Sequence, residues 1–174
     1  QAEVRKFVLK IGEYFEKYPV KLMVIACNTA TAAALAMAKK ELSIPVLGVI
    51  HPGAQAAVNT NAHTIGVIGT DSTIKDGAYE REIHKIDPTI TVISKATQPL
   101  VSIVEHGLTN TPQAQRTVNE QLSIFDTHPV DALILGCTHF PFLRNQIQNK
   151  VGEKTKLVDP AKETINYIQT LLKR

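Results

Sequence analysis

The chain has 174 residues, of which 44% are hydrophobic, a proportion typical of a globular protein with one substantial core or two smaller ones. Its 19 basic and 16 acidic side chains give a formal net charge of +3, and no basic run is paired with aromatic residues, so a nucleic-acid partner is not indicated. Apolar stretches such as residues 32–38 are too short to cross a membrane, so no membrane partner is predicted either.

Apolar, β-branched runs alternate with amphipathic helical stretches along the chain. Such a pattern is typical of parallel sheets that helices cover on both faces, with right-handed crossovers between the strands. Because ligands bind at the carboxyl ends of these strands, functional residues are expected just after each strand. In chain order, the predicted elements are a helix over residues 2–18, a strand over 20–26, a helix over 29–41, strands over 46–49 and 64–68, a helix over 73–86, a strand over 89–93, a helix over 112–126, a strand over 132–135, a helix from about residue 141, and a helix over 161–171.

The chain has two cysteines, Cys27 and Cys137, which lie far apart and outside any CxxC motif. A disulfide framework is therefore not predicted, and a reducing cytoplasm is favoured. The polar, helix-like stretch over residues 1–6 is unlike a secretory signal peptide, which also favours a cytoplasmic protein. Since the sequence begins with glutamine rather than methionine, we expect it to start inside a longer chain.

Two segments match in register around the two cysteines. Residues 23–29 can be laid over residues 133–139, so that three large apolar residues and one small residue precede each cysteine. Two hydrogen-bonding residues follow each cysteine, and a helix is predicted to begin there. This shared register favours a common function over two unrelated buried thiols.

The matched thiols fit a proton transfer at a carbon centre. Inverting an α-carbon requires removing a proton from one face and delivering one to the other, which two carriers on opposite sides do directly. A thiol at a helix N-terminus is expected to shift toward thiolate, because the helix dipole favours negative charge. Asn28, Thr29 and Thr138 offer hydrogen bonds to a substrate carboxylate. His139 lies two residues past Cys137 and is suited to shuttle its proton.

Other interpretations of the cysteines stay open at this point. Each cysteine alone fits a small buried hydrophobic residue that closes an apolar strand. A nucleophile formed by Cys137 and His139 leaves Cys27 unexplained, and a redox role requires the two sulfurs to reach each other. The cysteine and histidine spacing does not match that of zinc ligands, so no metal is predicted.

Further polar residues are expected at the same edge of the sheet. Residues 66–73 read as a strand that runs into a hydroxyl-rich turn, for which a simple helix N-cap and a carboxylate-binding site are both open. The glycines of this segment do not form a dinucleotide fingerprint, so no nucleotide cofactor is predicted. Glu105 is either a solvated residue at a helix end or a charge directed toward the site.

Residues 26–31 and 135–139 resemble the two cysteine signatures of the bacterial glutamate racemases, within the aspartate/glutamate racemase family. Related aspartate racemases typically carry glutamate at the position of His139, so glutamate is the expected substrate. The similarity covers nearly the whole chain. It extends over residues 45–50, 66–73, 79, 101–107 and 157–159.

The resemblance implies an isomerase with no cofactor and no metal, which interconverts L- and D-glutamate and supplies D-glutamate for peptidoglycan. Cys27 would act on the α-proton of D-glutamate and Cys137 on that of L-glutamate, with Glu105 and His139 assisting the bases. A homodimer is expected. The residues implied to bind the substrate are Asn28, Thr29, Thr70, Thr73 and Thr138.

The resemblance also implies two similar parallel-sheet α/β domains that face each other across the site. The first domain would be discontinuous, with residues 1–50 and 159–174, and the second would span residues 51–158, with hinges near residues 51–53 and 157–159. The family begins with a strand and an Asp-Ser-Gly loop, followed by a Tyr-Gly pair, and this sequence contains neither motif. A protein without that segment is expected to lose a strand and the acidic helper of Cys27, and to show little racemase activity.

Two further functions stay open beside the glutamate racemase. One is a related racemase that acts on aspartate or another amino acid. The other is a non-catalytic protein that binds carboxylates in the cleft but lacks the front strand. Turnover compared across substrates tests the first, and ligand binding without turnover would indicate the second.

Overall fold

Helices and parallel strands alternate along residues 1–172, which the computed structural model describes. The strands are β1 (Met23–Ile25), β2 (Val46–Gly48), β3 (Thr64–Gly69), β4 (Thr91–Ala96), β5 (Ala132–Gly136) and β6 (Lys156–Val158). The α-helices are α1 (Ala2–Phe15), α2 (Asn28–Glu41), α3 (Ile50–Val58), α4 (Asp71–Asp76), α5 (Ala78–Ile86), α6 (Gln98–Glu105), α7 (Pro112–Gln121), α8 (Ile124–Thr127), α9 (Arg144–Val151) and α10 (Pro160–Leu172), and a 3-10 helix spans Phe140–Leu143.

The strands form two parallel sheets. The smaller sheet pairs β1 with β2, and the larger sheet has the order β4-β3-β5-β6. The non-sequential order of the larger sheet requires crossover connections, which the helices between the strands supply. The predicted fold class, α/β with two parallel-sheet units, is therefore confirmed.

Strand β5 is buried along its whole length because it lies between β3 and β6 and helices cover both faces of the sheet. Leu133 and Leu135 point into a cluster with residues of α6, α7 and α9. Ile134 points to the opposite face, into a cluster with residues of α3 and α5. Burial of each such side chain contributes about 1.5–3 kcal/mol, which is why this strand reads as an unbroken apolar run.

The smaller sheet packs against the α1–α2 pair. Val8 of α1, Met23 of β1 and Ala38 of α2 belong to one buried cluster, and small alanine side chains on α2 let α1 approach closely. Gly12 contributes to the same approach, because a Cβ there would lie 2.2 Å from Cδ1 of Leu42. The chain after β1 therefore enters α2 at a fixed position.

Several predicted elements differ from the observed ones. The first strand is shorter than the predicted residues 20–26, and the predicted helix over residues 73–86 is two helices. Gly77 separates them in a left-handed conformation with φ of 71°, which glycine adopts without a steric penalty. The sequence analysis missed α3, α6 and β6. Residues 51–53, expected near a hinge, lie in the first turn of α3, where Pro52 forfeits no intrahelical hydrogen bond.

Helix α10 packs against α3, so the end of the described chain returns to the middle of the sequence. The contact is close at Gly53, where a Cβ would lie 3.0 Å from Cβ of Pro160. The domain boundaries, residues 1–50 with 159–174 and residues 51–158, remain a prediction. Residues 173 and 174 of that predicted first domain lie outside the described residues.

The carboxyl ends of both sheets carry the polar residues. In the larger sheet Gly69 and Gly136 are register partners, so the residues that follow them, Thr70 and Cys137, leave the sheet side by side. In the smaller sheet the chain passes from β1 through Cys27 into α2. The fold therefore directs three strand ends toward one place, as expected for parallel sheets.

A substitution at Gly136 would show how tightly the end of β5 is packed. A Cβ there would lie 2.5 Å from the backbone oxygen of Ile68, whereas a Cβ at its register partner Gly69 meets side-chain atoms at 3.2 Å or more. We expect Gly136→Ala to lower the free energy of unfolding by about 1–3 kcal/mol, because backbone atoms cannot move aside. Gly69→Ala is the matched control and should cost less. Urea unfolding measures both, and equal losses would contradict the argument.

Candidate active site

The three strand ends converge on one cavity of about 120 Å³. Both cysteines line it, one from the end of each sheet, so thiols that are distant in sequence share one small cavity. Most of the other lining residues carry a hydroxyl, amide or imidazole group, and Val101 and Gly136 complete the wall. The residues that line the cavity are Cys27, Asn28, Thr29, Thr70, Val101, Gly136, Cys137, Thr138 and His139.

Cys27 is the N-cap residue of α2. Its backbone is extended, with φ of −82° and ψ of 129°, and its carbonyl oxygen accepts a hydrogen bond of 2.8 Å from the N–H of Thr31. The buried Thr31 hydroxyl in turn donates to the carbonyl oxygen of Ile25, at 2.9 Å, which ties the first turn of the helix to the end of β1. Cys27 itself is exposed, so its sulfur is accessible from solvent.

Cys137 is the first member of a chain of polar contacts. Its Sγ lies 3.5 Å from Nδ1 of His139, within hydrogen-bond range for sulfur. Nε2 of His139 is in close hydrogen-bond contact with Oε1 of Glu105, at the last residue of α6. Such a chain can move a proton from the thiol to the imidazole while the carboxylate stabilises the imidazolium.

Burial raises the pKa of the Cys137 thiol above its usual value, and the nearby Cys27 raises it further, although hydrogen bonds from His139 and Thr138 oppose the shift. The sequence-based expectation of a shift toward thiolate is therefore wrong for Cys137. The 3-10 helix begins at Phe140 and α9 only at Arg144, so no long helix dipole starts at this sulfur. At neutral pH Cys137 carries its proton and is suited to donate it.

Three threonine hydroxyls join the smaller sheet to the larger one. Oγ1 of Thr29 lies 2.9 Å from Oγ1 of Thr70 and 3.0 Å from Oγ1 of Thr73, and the latter two are 3.0 Å apart. Thr70 also accepts a hydrogen bond of 3.2 Å from the N–H of Thr73, so it caps α4. The N-cap interpretation is thus correct, and carboxylate binding by the same hydroxyls remains a prediction.

Asn28 contacts a residue to which the sequence analysis gave no role. The hydroxyl of Tyr79, on α5, donates a hydrogen bond of 2.5 Å to Oδ1 of Asn28. Burial raises the pKa of Tyr79 well above its usual value, with contributions from the Asp159 carboxylate and the Cys137 thiol, so the hydroxyl keeps its proton. Since 51 residues separate the two side chains, no local spacing indicates this contact.

Every predicted site residue lies at the cavity or one hydrogen bond from it. Glu105 reaches it through His139, and Thr73 reaches it through Thr29. The analysis missed Val101 and Gly136 as cavity-lining residues, because apolar and small side chains carry no chemical signal of their own. The catalytic and binding roles of the polar residues remain predictions.

A larger cavity of about 410 Å³ lies between α2, α3, α5 and α10, and neither cysteine lines it. The smaller cavity is the better candidate site because it gathers the thiols and their polar neighbours. Within residues 1–172, no group of three or more His, Cys, Asp and Glu side chains is arranged to hold a metal ion. No helix in that same part of the chain is long and apolar enough to cross a membrane.

Two thiols at equivalent strand ends, lining one small cavity, define an α/β protein with a candidate acid–base site between parallel sheets. The Asp/Glu/Hydantoin racemase family matches residues 1–168, and the chain belongs to this family. A curated glutamate racemase from Limosilactobacillus reuteri is 54% identical over 170 residues, which are 98% of this chain and 64% of the relative.

Solved structures agree with this assignment. A glutamate racemase isoform from Bacillus anthracis has a TM-score of 0.94 at 41% identity, covering 99% of this chain and 65% of that one. A glutamate racemase from Francisella tularensis in complex with D-glutamate has a TM-score of 0.90 at 34% identity, covering 98% of this chain and 64% of that one. The chain thus spans just under two thirds of the length of these relatives.

The two thiols should differ in their reaction with iodoacetamide. We expect Cys27 to be alkylated on the order of tenfold faster than Cys137 at neutral pH, because the thiolate is the reactive form. Cys27 is exposed, whereas Cys137 is buried and its pKa is raised. Labelling of Cys137 should therefore keep rising to a higher pH than for an ordinary thiol.

Peptide mass spectrometry at a series of reaction times measures both rates. The denatured protein is the control, since unfolding removes the difference in burial and the two rates should become similar. Faster labelling of Cys137 in the folded protein would contradict the assigned difference in accessibility.

Proposed function

We propose that the protein is a cofactor-independent racemase that interconverts L- and D-glutamate, with Cys27 and Cys137 as the two proton carriers. One observation carries the proposal: two free thiols, one from the end of each sheet, line the same small cavity. The curated relatives that are 54% and 53% identical are named glutamate racemase, and the Francisella tularensis relative was solved with D-glutamate. These names support glutamate as the substrate.

The reaction needs one thiolate and one thiol at the start of each turnover. With L-glutamate, the Cys137 thiolate takes the α-proton and the Cys27 thiol delivers a proton to the opposite face. With D-glutamate the two roles are exchanged. After each turnover the thiol has become a thiolate and the thiolate a thiol. The protons must therefore be redistributed before another molecule of the same enantiomer reacts.

The His139–Glu105 pair is suited to that redistribution on the Cys137 side. Because burial raises the pKa of Cys137, its thiol does not ionise readily, and a base within 3.5 Å is needed to accept the proton. His139 supplies the base, and Glu105 stabilises the positive charge that forms on the imidazole. The hydroxyls of Thr29, Thr70, Thr73 and Thr138, together with the Asn28 amide, hold the carboxylates of the substrate.

Other parts of the proposal rest on membership of the family. They are a homodimer, a cytoplasmic location and a supply of D-glutamate for peptidoglycan. The division into a first domain of residues 1–50 and 159–174 and a second domain of residues 51–158 has the same basis. In that arrangement Cys27 and Cys137 would belong to different domains, and domain closure would bring the two bases to the substrate.

Solvent isotope uptake tests the proposed function. In D₂O without added cofactor, L-glutamate should be converted to D-glutamate that carries deuterium at the α-carbon, as followed by proton NMR and chiral chromatography. Cys27→Ser and Cys137→Ser should each lower racemisation by about 10²–10⁴-fold, because each removes one of the two proton carriers.

The matched comparison is a fusion of this chain to the residues of the Limosilactobacillus reuteri relative that lie outside the matched 64%. Exchange that this fusion shows, and that both serine variants lose, supports the proposal. If neither protein exchanges the α-proton while both thiols remain reduced, the racemase function is wrong. Competition between L-glutamate and L-aspartate in the same assay should favour glutamate, and a preference for aspartate would overturn the substrate assignment.

One alternative is a carboxylate-binding protein without turnover, which would use the same hydroxyl and amide groups of the cavity. This alternative predicts that D- or L-glutamate raises the melting temperature without any deuterium uptake. It also predicts that Cys27→Ser leaves the thermal shift unchanged, since binding alone does not require the thiol.

A further inference from the structure

Tyr79 and Asn28 form a buried contact between the two halves of the site. Tyr79 lies on α5, in the cluster that covers the larger sheet, and Asn28 is the first residue of α2, directly after Cys27. Their side chains are joined by the hydrogen bond of 2.5 Å from the Tyr79 hydroxyl to Oδ1 of Asn28. Tyr79 is 2% exposed and Asn28 is 4% exposed, so water does not compete for this bond.

The contact determines which end of the amide faces the cavity. An asparagine side chain has one acceptor oxygen and one NH₂ group with two donors, on opposite sides of the amide carbon. Because the oxygen of Asn28 accepts from Tyr79, its Nδ2 is the group left to face the cavity that Asn28 lines. An NH₂ group donates to a carboxylate, whereas the flipped amide would present an oxygen and repel it.

The Tyr79 ring packs between two glycines, Gly53 and Gly136, whose lack of a side chain leaves space for it. A Cβ at Gly53 would lie 3.4 Å from Cε1 of Tyr79, and a Cβ at Gly136 would lie 3.3 Å from Cε2. The ring therefore packs between the first turn of α3 and the end of β5, next to Cys137. This placement fixes the hydroxyl relative to the larger sheet, and through the hydrogen bond it fixes Asn28 relative to Cys137.

We propose that Tyr79 is a positioning residue, which holds the Asn28 amide so that Nδ2 donates to a carboxylate of the bound amino acid. Tyr79 does not line the cavity, so it acts through Asn28 and not on the substrate itself. The raised pKa of Tyr79 supports this role, since the hydroxyl stays protonated and remains a donor at neutral pH. The inference rests on the proposed function.

A double-mutant cycle on the active protein tests the inference. Tyr79→Phe keeps the ring and removes the donor to Asn28. The Asn28 amide is then free to turn and loses its hydrogen bond to the substrate carboxylate. We expect KM for both enantiomers of glutamate to rise about tenfold, the usual effect of one lost hydrogen bond to a charged group. We expect kcat to change less than KM, because the carboxylate is held equally in the ground state and the transition state. Tyr18→Phe, which removes an exposed hydroxyl on the chain after α1, is the matched control and should leave KM unchanged.

Asn28→Ala should raise KM as well, and adding Tyr79→Phe to it should have no further effect, because the tyrosine then has no amide to hold. Asn28→Asp gives a second check, since one carboxylate oxygen still accepts from Tyr79 while the other repels the substrate. It should raise KM for both enantiomers of glutamate. Additive effects of Tyr79→Phe and Asn28→Ala on KM would overturn the inference, because a purely structural role does not depend on Asn28.

A second measurement separates this inference from the proposed function. The side-chain ¹⁵NH₂ signal of Asn28, assigned with Asn28→Ala, should move in Tyr79→Phe more than the signals of the other asparagines. This holds in a protein that shows no racemisation. Unchanged Asn28 signals in Tyr79→Phe would overturn the positioning role, whereas absent deuterium uptake in the unmodified protein bears on the racemase function alone.

Discussion

The site depends on the hydrogen bonds that hold the start of α2 against residues at the carboxyl end of the larger sheet. Thr29 contacts the hydroxyls of Thr70 and Thr73, and Asn28 accepts from Tyr79. Because Cys27 directly precedes these residues, the same bonds set the position of its sulfur relative to the carboxyl end of β5. A displacement of about 1 Å costs roughly a hundredfold in rate when a group must be aligned with a reacting atom. The contact between the start of α2 and the larger sheet therefore fixes the geometry on which the proposed reaction depends.

The two thiols are equivalent in topology and different in environment. Cys27 caps a long α-helix and is exposed, whereas Cys137 is buried before a 3-10 helix, and burial raises its pKa. The proposed reaction needs one protonated and one deprotonated carrier, and two identical environments would give no preference for either state. Burial favours the protonated form of Cys137, and His139 lies within 3.5 Å as a base that can accept its proton.

The sequence analysis predicted the features that depend on local pattern. The apolar runs of β3 and β5, the helix after Cys27 and the position of each thiol at a strand end all follow from residues close together in the chain. It missed α3 and α6, whose proline-containing first turns read as loops, and the break at Gly77, which requires the backbone conformation to be known. The direction of the Cys137 pKa shift depends on burial by distant elements, so the helix-dipole argument alone gave the wrong sign.

The close packing at the end of β5 connects the position of Cys137 with that of Asn28. Gly136 leaves no room for a side chain beside the backbone of Ile68, and its bare α-carbon lies next to the Tyr79 ring. A larger residue there would push Cys137 away from β3 and would displace Tyr79, and through Tyr79 it would displace Asn28. The glycine before the buried thiol therefore acts on the Cys27 side of the cavity as well. The small size of Gly136 thus serves both the backbone packing of β5 against β3 and the space that the Tyr79 ring occupies beside Asn28.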